Sequence, residues 1–292
     1  MRQSNSSYTY LLLTILFWSA TPAVAKLALA ELDNLQLLFY TSIVGVVSLF
    51  LVVLFQKKIG QIKEFKKIDY FKMLGMGFLG IFLYYVFLFG SFAIAPAGQA
   101  NVVNYLWPVF IILFSIPILK EKFNYKTILA VLLSFIGALI VFTRGEFSSF
   151  SNEYTLGYLL AALGAVCYGL FSVLGKKLQY EKFTSMLFYY IFATILIIPT
   201  TLIFSEFVIP QSVTTIIAIL LLGGVFNSIA FVFWFKALKE GHTHKTANAI
   251  YAVPFLALIW TYFLNSEPIR FFSVIGLILI ITGIIIQIKN KT

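Results

Sequence analysis

A group of polar side chains lies inside the apolar segment from residue 97 to residue 122. Asn101, Asn104, Tyr105 and Pro108 follow one another at helical spacing, so one continuous helix would carry them on a single face. Pro108 has no backbone N–H and would leave the carbonyl of Asn104 without its donor. Because unpaired backbone groups at membrane depth are tolerated only against protein or water, the pattern favours a lined cavity. The alternative is a helix that packs on its neighbours through polar side chains.

The composition is that of a membrane protein. Of the 292 residues, 61% are hydrophobic and 11% are charged, whereas soluble domains carry about 25% charged residues. The formal net charge is +10, but the basic residues lie in short gaps between apolar runs, so no nucleic-acid partner is expected. The single cysteine, Cys167, excludes an intrachain disulfide. His242 and His244 fall in a predicted loop and are too few for a zinc site, so neither metal nor cofactor is expected.

Ten apolar segments are predicted to be transmembrane helices, each close to the roughly 20 residues that a bilayer requires. They cover residues 8–29, 35–55, 71–95, 97–119, 127–143, 155–175, 183–204, 213–235, 246–265 and 271–288. The predicted fold class is an all-α integral membrane protein. With a cytoplasmic amino terminus, all Lys and Arg residues lie on the cytoplasmic side except Lys26, Arg144 and Arg270. This is the bias of the positive-inside rule, and it predicts that both termini are cytoplasmic.

The chain contains a weak internal repeat. A shift of 146 positions matches Tyr105 with Tyr251, Pro108 with Pro254, Glu121 with Glu267 and Gly137 with Gly283, and a shift of 150 matches Trp18 with Tyr168 and Lys26 with Lys176. Five helices per copy is an odd number, so the second copy would enter the membrane inverted. We therefore predict two inverted five-helix repeats, 1–145 and 146–292. Secondary transporters use this plan, with the substrate site near the midplane between the halves. Chance similarity between apolar helices is the alternative.

Several of these features resemble a known family. Ten helices in two fives, Trp18 followed by Lys26 in the first helix, and Pro108 followed by Glu121 near the end of the fourth are similar to the drug/metabolite transporter superfamily, EamA type. The resemblance covers essentially the whole chain. The segment 104–108, Asn-Tyr-Leu-Trp-Pro, is similar to the fourth helix of bacterial aromatic amino acid exporters. The resemblance implies a bacterial inner-membrane carrier of small metabolites, with a central cavity built mainly from helices one, three, four, six, eight and nine.

These six helices each offer polar or aromatic side chains near mid-depth. The candidate substrate-binding residues are Trp18, Thr21, Tyr84, Tyr85, Asn101, Asn104, Tyr105, Trp107, Tyr168, Ser172, Asn227, Ser228, Trp234, Asn248 and Tyr251. The candidates that close or flank the pathway are Lys26, Glu121, Lys176 and Glu267, and Pro22, Pro108 and Pro254 are expected to kink their helices. Asn and Tyr side chains can bind carboxylate and ammonium groups as dipoles, and aromatic faces cover planar or cationic groups. For any single tyrosine, the alternative is an interfacial anchor or a core filler.

The predicted function is export of amino acids, aromatic ones first, by alternating access or facilitated diffusion, and not enzymatic catalysis. The middle of the predicted helices contains no charged side chain, which disfavours proton antiport through a buried carboxylate. Coupling through Glu121 or Glu267 stays open. The alternatives are uptake or exchange of another metabolite, efflux of a drug cation and, more remotely, an intramembrane lipid-modifying enzyme. The expected partners are a small-molecule substrate and the lipid bilayer, and the expected assembly is a monomer or a homodimer.

Overall fold

The computed structural model describes residues 5–95, 100, 103–122, 125–143, 152–265 and 271–289, and all their regular secondary structure is helical. The first half contains α1 (Asn5–Ala28), α2 (Asn34–Phe55), α3 (Lys67–Gly77), α4 (Tyr84–Ile94), α5 (Trp107–Leu119) and α6 (Tyr125–Thr143). The second half contains α7 (Thr155–Lys177), α8 (Lys182–Phe204), α9 (Val213–Leu221), α10 (Ile229–Glu240), α11 (Thr243–Ala249), α12 (Ala252–Asn265) and α13 (Phe271–Lys289). Short π-helices, Phe78–Leu83 and Leu222–Phe226, join α3 to α4 and α9 to α10, and 3-10 helices cover Ile59–Glu64 and Asn152–Tyr154.

Seven helical runs among these residues are long and apolar enough to cross a membrane. They are Ser6–Ala28, Asn34–Phe55, Lys67–Leu88, Asn152–Lys177, Lys182–Phe204, Val213–Glu240 and Thr243–Leu264. Three shorter apolar helices, Trp107–Leu119, Tyr125–Ile140 and Val274–Ile286, accompany them. A chain with this many apolar helices is a multi-pass membrane protein.

Local signals in the sequence explain where α2 begins and ends. The Oδ1 atom of Asp33 accepts a hydrogen bond from the backbone N–H of Gln36 at 2.9 Å. In return, Oε1 of Gln36 accepts from the backbone N–H of Asp33 at 3.1 Å, which completes a capping box. Beyond the last turn, Lys57 adopts a left-handed conformation with φ of 56°, and this conformation ends helices.

The fourth apolar segment is interrupted, although the sequence predicted one continuous helix. A turn at Tyr105–Leu106 precedes α5, which places Pro108 in the first turn of a new helix. In an unbroken helix the proline ring would clash with the carbonyl of Asn104, four residues earlier, whereas the first turn tolerates proline. The prediction of one continuous helix through Asn104, Tyr105 and Pro108 is therefore wrong, because the helix is interrupted between Asn104 and Trp107.

The ninth apolar segment is interrupted in the same way. A turn at Ile250–Tyr251 separates α11 from α12. Pro254 follows in the first turn of α12, and the carbonyl that its ring would meet in an unbroken helix belongs to Ile250. Both interruptions thus have the same cause, a proline three or four residues after the first residue of the turn.

Helices of the first half of the chain pack directly on helices of the second half. Helix α1 contacts α10 and α12, α2 contacts α8, α4 and α5 contact α7, and α6 contacts α13. Trp234 of α10, Phe171 of α7 and Tyr189 of α8 are among the largest wholly buried side chains. Part of the core therefore lies between α7, α8 and α10.

Glu181 caps α8 and gives a testable contribution to stability. Its carboxylate accepts hydrogen bonds from the backbone N–H of Thr184 and from Nζ of Lys58, both at 2.8 Å. Burial raises the pKa of Glu181, but the hydrogen bonds from Lys58 and Thr184 outweigh burial, so the pKa lies below its ordinary value. We expect Glu181→Gln to lower the free energy of unfolding by about 1 kcal/mol at neutral pH, most of it through the cap because the ion pair is screened by solvent.

The pH dependence of this effect has a defined sign. A depressed folded pKa contributes stability above the ordinary carboxyl pKa, and that contribution is lost as the pH falls through the folded pKa. The difference in thermal unfolding between wild type and Glu181→Gln should therefore be constant at pH values above the ordinary carboxyl pKa of 4.5 and should shrink as the pH falls below it. Glu64→Gln makes the same charge change at an exposed site and should unfold like wild type. An equal loss in both variants would indicate a net-charge effect instead of the cap.

Candidate functional site

Four aromatic side chains from four helices form the centre of the site. The indole of Trp18 lies 6.1 Å from Trp107, 6.1 Å from Tyr168 and 5.6 Å from Trp234, measured between ring centroids. Trp107 in turn lies 4.9 Å from Tyr168 and 5.5 Å from Trp234, with both pairs edge to face. We call Trp18, Trp107, Tyr168 and Trp234 the aromatic cluster. It lies between α1 and α5 of the first half and α7 and α10 of the second.

Hydrogen bonds fix the orientation of two of these rings. The indole N–H of Trp18 donates to the carbonyl of Phe226, at the end of the second π-helix, at 3.0 Å. The indole N–H of Trp234 donates to Oγ of Ser172 at 3.1 Å. Because both donors are satisfied within the protein, the two indoles present ring faces and edges and no free N–H.

A buried polar corner adjoins the aromatic cluster. Nδ2 of Asn104 donates to the hydroxyl of Tyr84 at 3.3 Å, and the ring of Tyr84 lies 4.9 Å from that of Tyr168. Asn104 is 3% exposed and Tyr168 is 2% exposed. Oδ1 of Asn104 and the hydroxyl of Tyr168 have no hydrogen-bond partner in the part of the chain that the structure describes. Leaving a buried polar atom unpaired costs about 1–3 kcal/mol, so two such atoms on residues that both contact Tyr84 suit a site for a polar ligand.

The two interrupted helices meet beside this corner. The hydroxyl of Tyr251, at the second interruption, donates to the carbonyl of Tyr105, at the first, at 3.2 Å. The ring of Tyr105 lies 6.4 Å from that of Trp107. Asn248 precedes the second interruption, is wholly buried, and has no hydrogen-bond partner for either side-chain polar atom among the described residues. Irregular backbone and unpaired amides are thus concentrated where the two halves of the chain touch.

The structure brings together most, though not all, of the residues that the sequence singled out. The residues at or next to the aromatic cluster and polar corner are Trp18, Tyr84, Tyr85, Asn104, Tyr105, Trp107, Tyr168, Ser172, Trp234 and Tyr251. Asn248 lies three residues before Tyr251, and its carbonyl accepts from the backbone N–H of Tyr251. Three others bond elsewhere. Thr21 donates to the carbonyl of Phe17 and Ser228 to that of Gly224, each within its own helical run, and the carbonyl of Asn227 accepts from Tyr190. Asn101 lies outside the described residues, and Pro22 lies inside α1.

Sequence reasoning missed one member of the central packing. The ring of Phe231 lies 5.4 Å from Trp18 and 5.8 Å from Tyr168. Phe231 precedes Trp234 by three residues on α10, so both side chains lie on the same helix face. The spacing of three residues from Trp234 could have identified Phe231. Phenylalanine has no polar side-chain atom, however, and the chain contains 32 phenylalanines, so this one was not selected.

The residues predicted to close the pathway include one ion pair. Nζ of Lys176, at the end of α7, lies 3.0 Å from Oε1 of Glu121 and donates to Oγ1 of Thr243 at 2.7 Å and to the carbonyl of Gly241 at 3.0 Å. The side chains of Lys176 and Glu121 are 16% and 25% exposed. We call Glu121, Lys176, Thr243 and the carbonyl of Gly241 the Lys176 junction. It ties the ends of α5 and α7 to the segment between α10 and α11.

The other residues proposed for the pathway ends are placed differently. Lys26 lies in the last turn of α1, and Glu267 lies outside the described residues. His244 was predicted in a loop, but it lies on α11 and is 5% exposed. The hydropathy pattern predicted that the helix begins at residue 246, whereas α11 begins at Thr243. The first residues of α11 are polar, although the helix packs against α5, α10 and α13.

The chemistry available at the centre is that of neutral binding. Aromatic rings and amide and hydroxyl groups from both halves surround the polar corner. No group of three or more His, Cys, Asp or Glu side chains that could hold a metal ion occurs among the described residues. Such a set of groups can cover a planar or cationic moiety and hydrogen-bond a small polar one.

The chain matches a known protein family and is similar to known proteins in sequence and fold. The profile of the EamA-like transporter family matches residues 5–143 and 155–288. An uncharacterised transporter of Archaeoglobus fulgidus is 26% identical over 285 residues, which is 96% of each chain. A solved crystal structure superposes with a TM-score of 0.84 at 22% identity and covers 97% of both chains, which shows a shared fold.

Two other relatives have names that state a substrate. The aromatic amino acid exporter YddG of Ancylobacter novellus is 28% identical over 184 residues, covering 63% of this chain and 64% of the relative. The pseudopaline exporter CntI of Pseudomonas aeruginosa is 25% identical over 278 residues, covering 94% and 93%. Both names describe export of a small organic molecule.

Proposed function

The chain belongs to the EamA-like transporter family, and from that membership we propose that it is a secondary carrier that exports amino acids, aromatic ones first. The transported molecule binds at the polar corner and aromatic cluster, between the two halves of the chain. No ATP is consumed, and the carrier works by alternating access or facilitated diffusion. The observation that carries this proposal is a pair of buried polar atoms that have no hydrogen-bond partner among the described residues, Oδ1 of Asn104 and the hydroxyl of Tyr168, the latter in the aromatic cluster.

The chemistry of an aromatic amino acid matches this arrangement. Its ammonium group can donate to Oδ1 of Asn104, and its carboxylate can accept from the hydroxyl of Tyr168. Its ring fits against the edges and faces of Trp18, Trp107 and Trp234. The name of the Ancylobacter novellus relative supports the aromatic choice.

We propose ten membrane spans arranged as two inverted repeats, 1–145 and 146–292. Features at equivalent positions support this arrangement: the π-helices begin at Phe78 and Leu222, 144 positions apart, and the interruptions begin at Tyr105 and Ile250, 145 positions apart. Discontinuous helices at the substrate site are typical of transporters built from inverted repeats. The lysine distribution supports cytoplasmic termini in a bacterial inner membrane.

In this orientation the Lys176 junction closes the cytoplasmic end of the pathway. The ion pair of Lys176 and Glu121 holds three chain segments together there. Lys26 is the repeat equivalent of Lys176 and Glu267 that of Glu121, and these two residues would serve the opposite end. Closing one end while the other opens is what alternating access requires.

A second candidate substrate class is an organic cation or another metabolite, moved by efflux, uptake or exchange. The aromatic cluster favours it, because indole and phenol faces attract ammonium groups. The relative named as a pseudopaline exporter is also consistent with a substrate other than a proteinogenic amino acid.

Flux through reconstituted vesicles tests the proposed function. Vesicles that hold the purified full chain should release preloaded labelled phenylalanine, tyrosine or tryptophan faster than empty vesicles. Asn104→Ala and Tyr105→Ala should lower this flux at least about tenfold, since each removes a group at the site. Tyr262→Phe changes an exposed tyrosine of α12 and should transport like wild type.

Three outcomes separate the candidates. If no amino acid is released but an organic cation such as tetraphenylphosphonium is, the cation reading replaces the amino acid one. If wild type moves neither class, the carrier proposal loses its support. If Asn104→Ala and Tyr262→Phe transport equally well, the site is elsewhere.

A further inference from the structure

The ion pair of the Lys176 junction is partly buried and incompletely hydrogen-bonded. Nζ of Lys176 has three acceptors, and Oε1 of Glu121 accepts both from Lys176 and from the hydroxyl of Thr243. Oε2 of Glu121 is buried and has no hydrogen-bond partner in the described part of the chain. A buried carboxylate oxygen without a donor is unfavourable, so the junction can accept one further donor without losing a bond that it already has.

His244 offers a second unused group at the same place. Its side chain is 5% exposed, and Nε2 is buried without a hydrogen-bond partner among the described residues. The charged and titratable groups around this ring are Glu121, Lys176, Lys245 and His242. An imidazole nitrogen can donate to a carboxylate when it carries a proton. The junction therefore combines a carboxylate with one oxygen that lacks a donor, Oε2 of Glu121, with a cation and an imidazole that can both bind a carboxylate.

We propose that the Lys176 junction is a recognition site for the ammonium and carboxylate groups of a zwitterionic amino acid, which opens this end of the pathway by ion exchange. The ammonium group replaces Lys176 as the partner of Glu121, and the carboxylate replaces Glu121 as the partner of Lys176, assisted by His244. This inference rests on the proposed export of amino acids and adds to it a second, charged site between the cytoplasm and the aromatic cluster.

The exchange is favourable only for a molecule with both charges. Separating Lys176 from Glu121 without replacing either partner leaves two partly buried charges uncompensated, which is destabilising. A zwitterion compensates both, so the junction opens at little net cost. An amine compensates only Glu121 and an acid only Lys176, and each leaves one charge unpaired. The junction thus selects zwitterions by their charge pattern, independently of the side chain.

Accessibility of a buried cysteine measures this opening directly. Thr246 is wholly buried on α11, three residues after Thr243. Thr246→Cys, in a Cys167→Ala background, is placed in lipid nanodiscs and labelled with a charged maleimide. We expect L-phenylalanine to raise the labelling rate about tenfold, and 2-phenylethylamine and 3-phenylpropionate to raise it less than about twofold.

A second cysteine reporter and a variant without the ion pair serve as controls for the Thr246→Cys measurement. Ser7→Cys of α1, which is also wholly buried, should report the same ligand pattern if Thr246→Cys does not fold. Glu121→Gln combined with Lys176→Met removes both charges, so labelling of the reporter should be fast without ligand and should not respond to any of the three compounds.

The outcomes distinguish this inference from the proposed function. If vesicles release phenylalanine but the amine, the acid and the zwitterion change labelling equally, or not at all, the charge-exchange site is refuted while amino acid export stands. If vesicles release no amino acid, both proposals fall together. A zwitterion-specific increase that disappears in the double variant supports the exchange site.

Discussion

Valine in place of Gly77 is expected to prevent accumulation of the folded protein. A Cβ atom at Gly77 would lie 2.4 Å from the carbonyl oxygen of Tyr189 and 3.2 Å from its Cα atom. These are backbone atoms of α8, so no side-chain rotation can relieve the clash, and α3 would have to move away. That movement would open the contact between α3 and α8, where Met73 and Met76 are buried.

The expected size of this effect follows from the loss of packing. Overpacking a close helix contact typically costs about 1–3 kcal/mol, and a clash with backbone lies at the upper end or beyond. Fluorescence-detected size-exclusion chromatography in detergent should show loss of the monodisperse peak. Thermal unfolding of any recovered protein should begin well below the wild-type temperature.

Gly75→Val is the matched control on the same helix. A Cβ atom at Gly75 meets nothing within 4 Å, so this change should alter stability by no more than about 0.5 kcal/mol. If Gly77→Val and Gly75→Val unfold alike, the close approach of α3 to α8 is not the reason for glycine at position 77.

The positions of the helices could be predicted from hydropathy to a large extent. Both ends of α1, α2, α7, α8 and α13 lie within three residues of the predicted segments. Two of these helices begin at a side-chain cap, Asp33 for α2 and Glu181 for α8. The all-helical fold and the family resemblance are confirmed, since both rest on features that extend along the whole chain.

Backbone irregularities inside the helices could not be predicted from hydropathy. The sequence indicated a kink at Pro108, whereas the chain breaks at Tyr105–Leu106 and begins a new helix. A kink and a break both relieve the clash between the proline ring and the preceding carbonyl. Packing against other helices decides between them, and here the contact from Tyr251 to the carbonyl of Tyr105 belongs to the broken form. The π-helix that begins at Phe78 left no signal in the composition.

The candidate site could be predicted in part, because residue type and approximate depth can be read from the sequence while neighbours cannot. Trp18, Trp107 and Trp234 were chosen as aromatic residues near mid-depth, and they lie together. Thr21 was chosen by the same rule but bonds within its own helix. A helix has several faces at each depth, and only the packing of the other helices decides which face meets the centre. Their roles in binding stay a prediction.

Leucine in place of Asn104 is expected to lower transport strongly while leaving the fold intact. Leucine is close to asparagine in size but has no polar atom, so it removes the unpartnered Oδ1 together with the 3.3 Å hydrogen bond to Tyr84. The lost hydrogen bond costs about 1 kcal/mol, and relief from burying an unpaired acceptor offsets a similar amount. The free energy of unfolding should therefore change by less than about 1 kcal/mol.

Transport should respond very differently from stability. A hydrogen bond between Oδ1 and a substrate ammonium group involves a charge and is worth about 1.5–3 kcal/mol. Its loss corresponds to a decrease in kcat/KM of roughly 10- to 150-fold. Initial rates of labelled phenylalanine release from vesicles, measured over a range of concentrations, give this ratio directly.

Two tyrosine variants distinguish a hydroxyl that binds substrate from a hydroxyl that stabilises the fold. Tyr168→Phe removes a buried hydroxyl without a hydrogen-bond partner among the described residues, whereas Tyr190→Phe removes one that donates to the carbonyl of Asn227. Tyr168→Phe should reduce transport about tenfold without loss of stability, and Tyr190→Phe should reduce stability by about 1 kcal/mol. An unpaired atom kept for a ligand can be removed at no structural cost, because the folded protein gains nothing from it. If Asn104→Leu and Tyr168→Phe both destabilise the protein and leave transport unchanged, the polar corner is part of the structural core and not a binding site.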